Sequence, residues 1–250
     1  RATLQTSLVA VGIASLVGFF LMLLPEPSLW PQPATRASFA ARPVSQSLSD
    51  WLDESRVEIQ RSRLQAGAPT PLVSEAAAFE KGLQHLQAYL RGDQAALESA
   101  NQQFDLAGYR VYRIEQRYLY LREKAPARGW GFYVVDTRAA GNLLVEVPTP
   151  LDEQNILIAG SRLFEILDAR ALAVAGAQRA INSDGSLDVL RNRQTFFHIF
   201  HQAMARRDVL QVRGYTARSS ETLAGIAADT FRAGTRLPPT TLWVRPSLPP

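Results

Sequence analysis

The sequence predicts an α/β fold, in which an N-terminal transmembrane helix and a helical segment precede a mixed or parallel sheet flanked by helices. Two observations carry this prediction. Residues 7–24 contain no charged side chain. From residue 142 onward, short apolar strands alternate with amphipathic helices, a rhythm typical of sheets with parallel strand pairs. A chain of 250 residues with 46% hydrophobic content is also large enough for one substantial core.

Residues 1–25 are predicted to be a transmembrane anchor that contacts the lipid bilayer through residues 7–24. At about 1.5 Å per residue, this stretch is just long enough to cross a bilayer core. A signal peptide is the alternative. Its apolar stretch is normally shorter and is followed by small residues at a cleavage site, whereas Pro25-Glu26-Pro27 follows here. The sequence therefore favours a retained anchor.

The charges beside this span predict its orientation. Arg1 precedes it, and the first basic residue after it is Arg36. The positive-inside bias then predicts a single-pass protein of the inner (cytoplasmic) membrane, with the bulk of the chain in the periplasm. Within the span, Ala10, Ala14 and Gly18 share one helical face, which would let another transmembrane helix pack closely. Small residues are common in any span, so both readings of this face stay open.

A proline-rich linker and a helical segment come next. Residues 26–46 form the linker, because closely spaced prolines favour extended chain. Residues 47–107 form the helical segment. Its three predicted helices run from Ser49 to near Gly67, from Val73 to Leu90, and from Asp93 to near Gly108.

Residues 108–250 are predicted to form a hydrolase-like α/β domain. Alternating apolar and polar residues or short apolar runs predict strands at 109–114, 118–121, 129–135, 142–147, 170–175, 209–212 and 241–244. Amphipathic patterns predict helices at 153–167, 194–206 and 221–232. Because ligands bind beyond the carboxyl ends of parallel strands, three loops are the expected site: Pro148–Glu153, Gly176–Asp188 and Arg213–Arg218.

The strand ends at these loops read VEVPTPLDE from Val145, AGAQRAINSDGSLD from Ala175 and QVRGYT from Gln211. Over about residues 129–215, the chain resembles bacterial exported proteins whose strand ends read roughly VEVPHP, AGAHR and VQxHGF. These are metallohydrolase domains of the carboxypeptidase or amidohydrolase type. The resemblance implies a histidine at each strand end and a zinc site with one position open for water.

This chain departs from that pattern at all three positions. Thr149, Gln178 and Arg213 stand where the resemblance places histidines. Threonine and glutamine are poor zinc ligands, and arginine repels a cation. Asp152 and Glu153 remain as carboxylates, although two acids beside Arg213 are more typical of a salt-bridged pocket. The resemblance therefore implies a degenerate site without catalytic residues, metal or cofactor.

Two further features involve histidine and a carboxylate. His198 and His201 lie three residues apart on one predicted helix. They are weak candidates for metal or pigment ligands, and the sequence favours a helix packed by phenylalanines with histidines at its margin. Glu146 lies within an apolar strand and needs a partner, and an arginine such as Arg179 could serve.

These observations predict a non-catalytic accessory or structural subunit of an inner-membrane complex, with other membrane protein subunits as partners. One alternative is an active cell-envelope peptide or amide hydrolase that uses Asp152 and Glu153, with His198 or His201 as a further candidate. The other is a periplasmic anion-binding module that uses Arg179 and Arg213. The chain contains no cysteine, which excludes disulfides, cysteine-bound metals and thiol nucleophiles. A formal net charge of +4 without a basic cluster argues against nucleic acid as a partner.

Overall fold

A computed structural model describes residues 41–61, 67–153, 155–206 and 208–214. Within these ranges, no helix is both long and apolar enough to cross a membrane. The predicted anchor with Ala10, Ala14 and Gly18 lies outside the described residues. So do most of the predicted linker, the helix predicted at 221–232 and the strand predicted at 241–244.

The described residues form helices and strands in mixed order. In chain order they are β1 (Arg42–Val44), α1 (Leu48–Arg61), α2 (Val73–Leu90), α3 (Ala96–Leu106), β2 (Tyr109–Ile114), β3 (Tyr118–Glu123), β4 (Phe132–Asp136), β5 (Leu144–Val147), α4 (Ile156–Ile166), β6 (Ala171–Val174), α5 (Phe196–Met204) and β7 (Val209–Gln211). The predicted α/β class is therefore confirmed, as is the predicted mixed sheet with flanking helices.

The strands that the structure describes form one sheet in the order β1-β2-β3-β4-β6-β5-β7. Strand β5 runs parallel to both of its neighbours, β6 and β7. Strands β2, β3, β4 and β6 pair antiparallel in succession. The last residues of the predicted linker form β1, which pairs parallel with β2 at one edge. Among the described strands, β6, β5 and β7 are three adjacent parallel strands, so their carboxyl ends lie at one edge of the sheet.

Helices cover both faces of this sheet. Alternate side chains of each strand point to opposite faces, which separates the core into two apolar clusters. One cluster lies under α2, α3 and α5 and contains Phe79, Tyr109, Tyr133, Phe196 and Phe200. The other lies under α1 and α4 and contains Trp51, Tyr120, Phe132, Val147 and Phe164. The helical segment predicted at 47–107 therefore packs on the sheet itself.

A close approach of two backbones fixes where the loop after β6 begins. A Cβ atom on Gly131 would lie 2.0 Å from the carbonyl oxygen of Val174, and one on Gly176 would lie 2.4 Å from the backbone nitrogen of Gly131. Gly131 also has a φ of 88°, in the left-handed region that favours glycine. Both positions therefore need a residue without a side chain, and together they anchor the start of the second predicted loop.

Candidate functional site

The three predicted loops meet at the carboxyl ends of β5, β6 and β7. Because these strands are adjacent and parallel, Val147 pairs with Val174 and Glu146 pairs with Gln211. The loops that follow leave the sheet at the same edge. The structure describes the third loop only as far as Gly214. Within the described residues, the three loops therefore meet at one edge of the sheet, as the alternation of strands and helices predicts.

Thr149 is fully buried at the end of β5. Its backbone carbonyl accepts hydrogen bonds from the N–H groups of Asp152 and Glu153, both at 3.2 Å, which closes a turn. Its hydroxyl has no hydrogen-bond partner among the described residues. The side chain that stands at the expected histidine position is thus part of the core.

The first and second loops are joined through Asp152 and Arg179. The Asp152 carboxylate accepts a hydrogen bond from the Arg179 backbone N–H at 3.2 Å. The Arg179 guanidinium turns the other way and donates to both oxygens of the buried Asp188, each at 3.2 Å. Burial alone would raise the pKa of Asp188, but the hydrogen bonds from Arg179 and from the Leu190 N–H hold it below its ordinary value. Gln178, beside Arg179, is exposed.

The first and third loops are joined through Glu153 and Arg213. The Arg213 guanidinium donates to one Glu153 oxygen from Nε at 3.0 Å and from Nη2 at 2.8 Å. The other Glu153 oxygen accepts the Gly214 backbone N–H at 2.5 Å. Both carboxylate oxygens therefore already have donors. We call Asp152, Glu153, Arg179, Asp188 and Arg213 the strand-end network.

The strand-end network does not fit the zinc site that the resemblance implies. Thr149 offers a buried hydroxyl, Gln178 is exposed, and Arg213 brings a positive charge to the Glu153 carboxylate. Among the described residues, no group of three or more acidic or histidine side chains is arranged to hold a metal ion. Glu153 instead forms a salt bridge with Arg213, as expected from the sequence for two acids beside an arginine.

The predicted partner of Glu146 is wrong. Arg179 pairs with Asp188, while Glu146 pairs with His201. His201 Nδ1 lies 2.7 Å from Glu146 Oε1, and the Gln211 side-chain amide donates to Glu146 Oε2 at 3.3 Å. The Glu146 side chain faces α5, because it shares the side of β5 on which Leu144 packs against that helix's cluster.

His198 and His201 lie at the margin of α5, as the sequence favours, while the phenylalanines of this helix are buried in the core. Their rings lie 5.8 Å apart between centroids, and their planes differ by 15°. The hydrogen bond to Glu146 raises the pKa of His201. Burial and the nearby positive charges of His201 and Arg193 lower the pKa of His198.

Sequence reasoning does not identify Glu123, whose side chain is only 7% exposed. It lies at the end of β3 and accepts backbone N–H groups from Arg128, Gly129 and Trp130. Burial raises its pKa to about 7. In the sequence, a glutamate at the end of an alternating strand is typical of a surface position, and the only available signal is the glycine-rich turn that follows.

No family model, no curated protein and no solved structure matches this chain. The resemblance to exported metallohydrolases therefore remains a prediction. The fold and the geometry of the strand-end network define the chain as a mixed α/β protein whose strand-end loops are joined by an ion pair and by hydrogen bonds to backbone N–H groups.

Proposed function

We propose that this chain is a single-pass, inner-membrane-anchored protein whose periplasmic α/β domain is non-catalytic and serves as an accessory or structural subunit of a membrane complex. The observation that carries the non-catalytic part is the strand-end network. At the edge where an α/β sheet usually binds its ligand, each acidic side chain already accepts a hydrogen bond from an arginine or a backbone N–H.

Catalysis at this edge would need a free carboxylate. A general base must present an open lone pair to the proton that it removes, and a metal ligand must present one to the ion. The Arg213 guanidinium occupies one oxygen of Glu153, and the Gly214 N–H occupies the other. The same contacts tie the three loops together, so they have a structural role that explains why these residue types are present.

The two alternatives have less support. An active hydrolase would depend on Asp152 and Glu153, and both are engaged in the strand-end network. An anion-binding module would depend on Arg179 and Arg213, and both guanidinium groups are paired with carboxylates within the domain. An incoming anion would have to displace those carboxylates, which belong to the same domain as the arginines and therefore pair with them at a lower entropic cost.

The anchored, accessory part of the proposal is supported by the sequence outside the described residues. The span at 7–24 and the proline-rich linker after it suit a domain that stands away from the bilayer on a fixed helix. A protein whose domain has no reactive edge and whose span has one face of small residues is suited to binding other membrane subunits.

The test is extraction of native membranes in mild detergent, followed by size separation and identification of co-migrating proteins. We expect this chain in a larger membrane assembly at a fixed stoichiometry. Migration of the chain alone would contradict the accessory role.

In parallel, the full-length chain is assayed against cell-envelope peptides and amides. Hydrolysis that is lost in an Asp152→Ala, Glu153→Ala variant would contradict the non-catalytic part.

A further inference from the structure

The buried carboxylate of Glu146 and its surroundings point to a second site. Glu146 is only 2% exposed and lies within the apolar strand β5. A buried carboxylate is strongly destabilising unless it is paired and hydrogen-bonded. Its side-chain partners are His201 and Gln211, one on each oxygen. The strand-end network does not use Glu146.

The contact with Glu146 fixes how His201 presents its ring. Nδ1 faces the carboxylate at 2.7 Å, so Nδ1 carries the hydrogen and Nε2 carries the free lone pair in the neutral ring. The His201 side chain is 37% exposed, in contrast to its buried partner. A carboxylate behind a histidine is the arrangement that orients imidazole ligands in metalloproteins and makes them more basic.

A second imidazole lies beside the first. His198 is one helical turn earlier on α5, with its ring nearly parallel to that of His201 at 5.8 Å. The Thr195 cap fixes this end of the helix, since the Thr195 hydroxyl accepts the His198 backbone N–H at 3.3 Å. The His198 ring is half-exposed, so both imidazoles reach solvent on the same face of the helix.

We propose that His198 and His201 form a two-histidine site for one borderline divalent transition-metal ion such as Zn²⁺, with Glu146 and Gln211 orienting His201 from behind. Imidazole nitrogen is a preferred ligand for this class of ion. Among the described residues no third protein ligand joins the pair, so water completes the coordination. The charge of Arg193 near His198 opposes the ion, and the Glu146 carboxylate offsets that charge.

This inference goes beyond the proposed function and is independent of it. The histidine pair and the strand-end network share no residue. An ion at the pair leaves the assignment of Asp152 and Glu153 unchanged, and loss of the proposed membrane assembly would not affect zinc binding. A failure of either idea is therefore seen in a different experiment.

The composition of the chain allows a clean test. Its three histidines are His85, His198 and His201, and it has no cysteine, so few other side chains compete for zinc. The purified full-length chain in detergent is titrated with ZnCl₂ by calorimetry at pH 7.5 and again at pH 5.5. We compare wild type with His198→Ala, His201→Ala and Glu146→Gln. His85→Ala is the matched control, because His85 lies on α2.

We expect one ion per chain in wild type and in the His85→Ala variant, with weaker binding at pH 5.5 because protons compete for imidazole. His198→Ala and His201→Ala should abolish this binding. Glu146→Gln should weaken it by about 10–100-fold, the usual effect of losing a carboxylate that orients a ligating histidine. Unfolding midpoints measured without zinc separate this effect from a general loss of structure.

The proposal is wrong if wild type binds no zinc at pH 7.5, or if His85→Ala loses binding as fully as His198→Ala. His198→Ala keeps the test valid if Glu146→Gln fails to fold, because the His198 side chain supports no hydrogen bond that the structure records. Equal zinc affinity in wild type and a folded Glu146→Gln variant would remove Glu146 from the site.

Discussion

Replacing His201 with alanine should destabilise the domain more than replacing its partner Glu146 with glutamine. His201→Ala leaves a carboxylate that is 2% exposed with the Gln211 amide as its remaining side-chain partner. Removing one partner of a buried charged pair usually costs about 3–5 kcal/mol. Because the His201 side chain is 37% exposed, water can reach part of the vacated space, and we expect the lower end, about 3 kcal/mol.

Glu146→Gln is a milder change. The amide has nearly the same shape, carries no charge to be desolvated, and leaves a half-exposed imidazole that water can solvate. We expect a loss of about 1 kcal/mol from the weakened hydrogen bond. In the double variant the buried charge is absent, so it should be more stable than His201→Ala alone.

The assay is urea unfolding of the full-length chain in detergent, without metal, followed by circular dichroism. The reasoning requires the order wild type, Glu146→Gln, His201→Ala from most to least stable, and a non-additive double variant. It would be refuted if Glu146→Gln cost as much as His201→Ala, or if the two losses simply added.

Three further predictions concern the loops and the turn that holds them. Burial raises the pKa of Glu123 to about 7, above its unfolded value, so the stability that its protonated form confers is fully present at low pH and is lost as pH rises through 7. Relative to Glu123→Gln, wild type should therefore lose about 3 kcal/mol of unfolding free energy between pH 4 and pH 8, and equal pH slopes would contradict this. Arg213→Ala removes a partly exposed ion pair and should cost about 1 kcal/mol in urea unfolding; a loss above about 3 kcal/mol would show that the pair is more than a surface contact. Gly131→Ala places a Cβ atom 2.0 Å from a carbonyl oxygen at positive φ and should cost about 3 kcal/mol, whereas Gly141→Ala, with open space around it, should stay within about 0.5 kcal/mol of wild type in the same measurement.

The elements with long, unbroken periodicity could be predicted closely from the sequence. Helix α2 has the predicted bounds, Val73 to Leu90, and strand β2 has the predicted bounds, Tyr109 to Ile114. Helix α2 is closed by Arg91-Gly92, and the alternating pattern of strand β2 begins directly after Gly108. Strand β1 could not be predicted, because three residues that include Pro43 carry no period and form a strand only by pairing with β2.

The meeting of the three loops at one sheet edge could be predicted, but the side-chain pairings there could not. The rule that ligands bind at strand ends needs only the alternation of strands and helices, which the sequence displays. The partner of Glu146 depends on the position of α5 over β5, and that position follows from tertiary packing of phenylalanines. Arg179 has the charge that a partner of Glu146 needs, but it pairs with Asp188, which lies on the same loop as Arg179.

The most direct test of the proposed accessory role uses the predicted span. Gly18→Leu places a large side chain on the face shared with Ala10 and Ala14, whereas Gly12→Leu makes the same substitution on the opposite face. Each variant replaces the native chain, and detergent extracts of the membranes are separated by size. We predict that wild type and Gly12→Leu migrate with a larger assembly and that Gly18→Leu is released from it. Migration of wild type as a single chain would contradict the account.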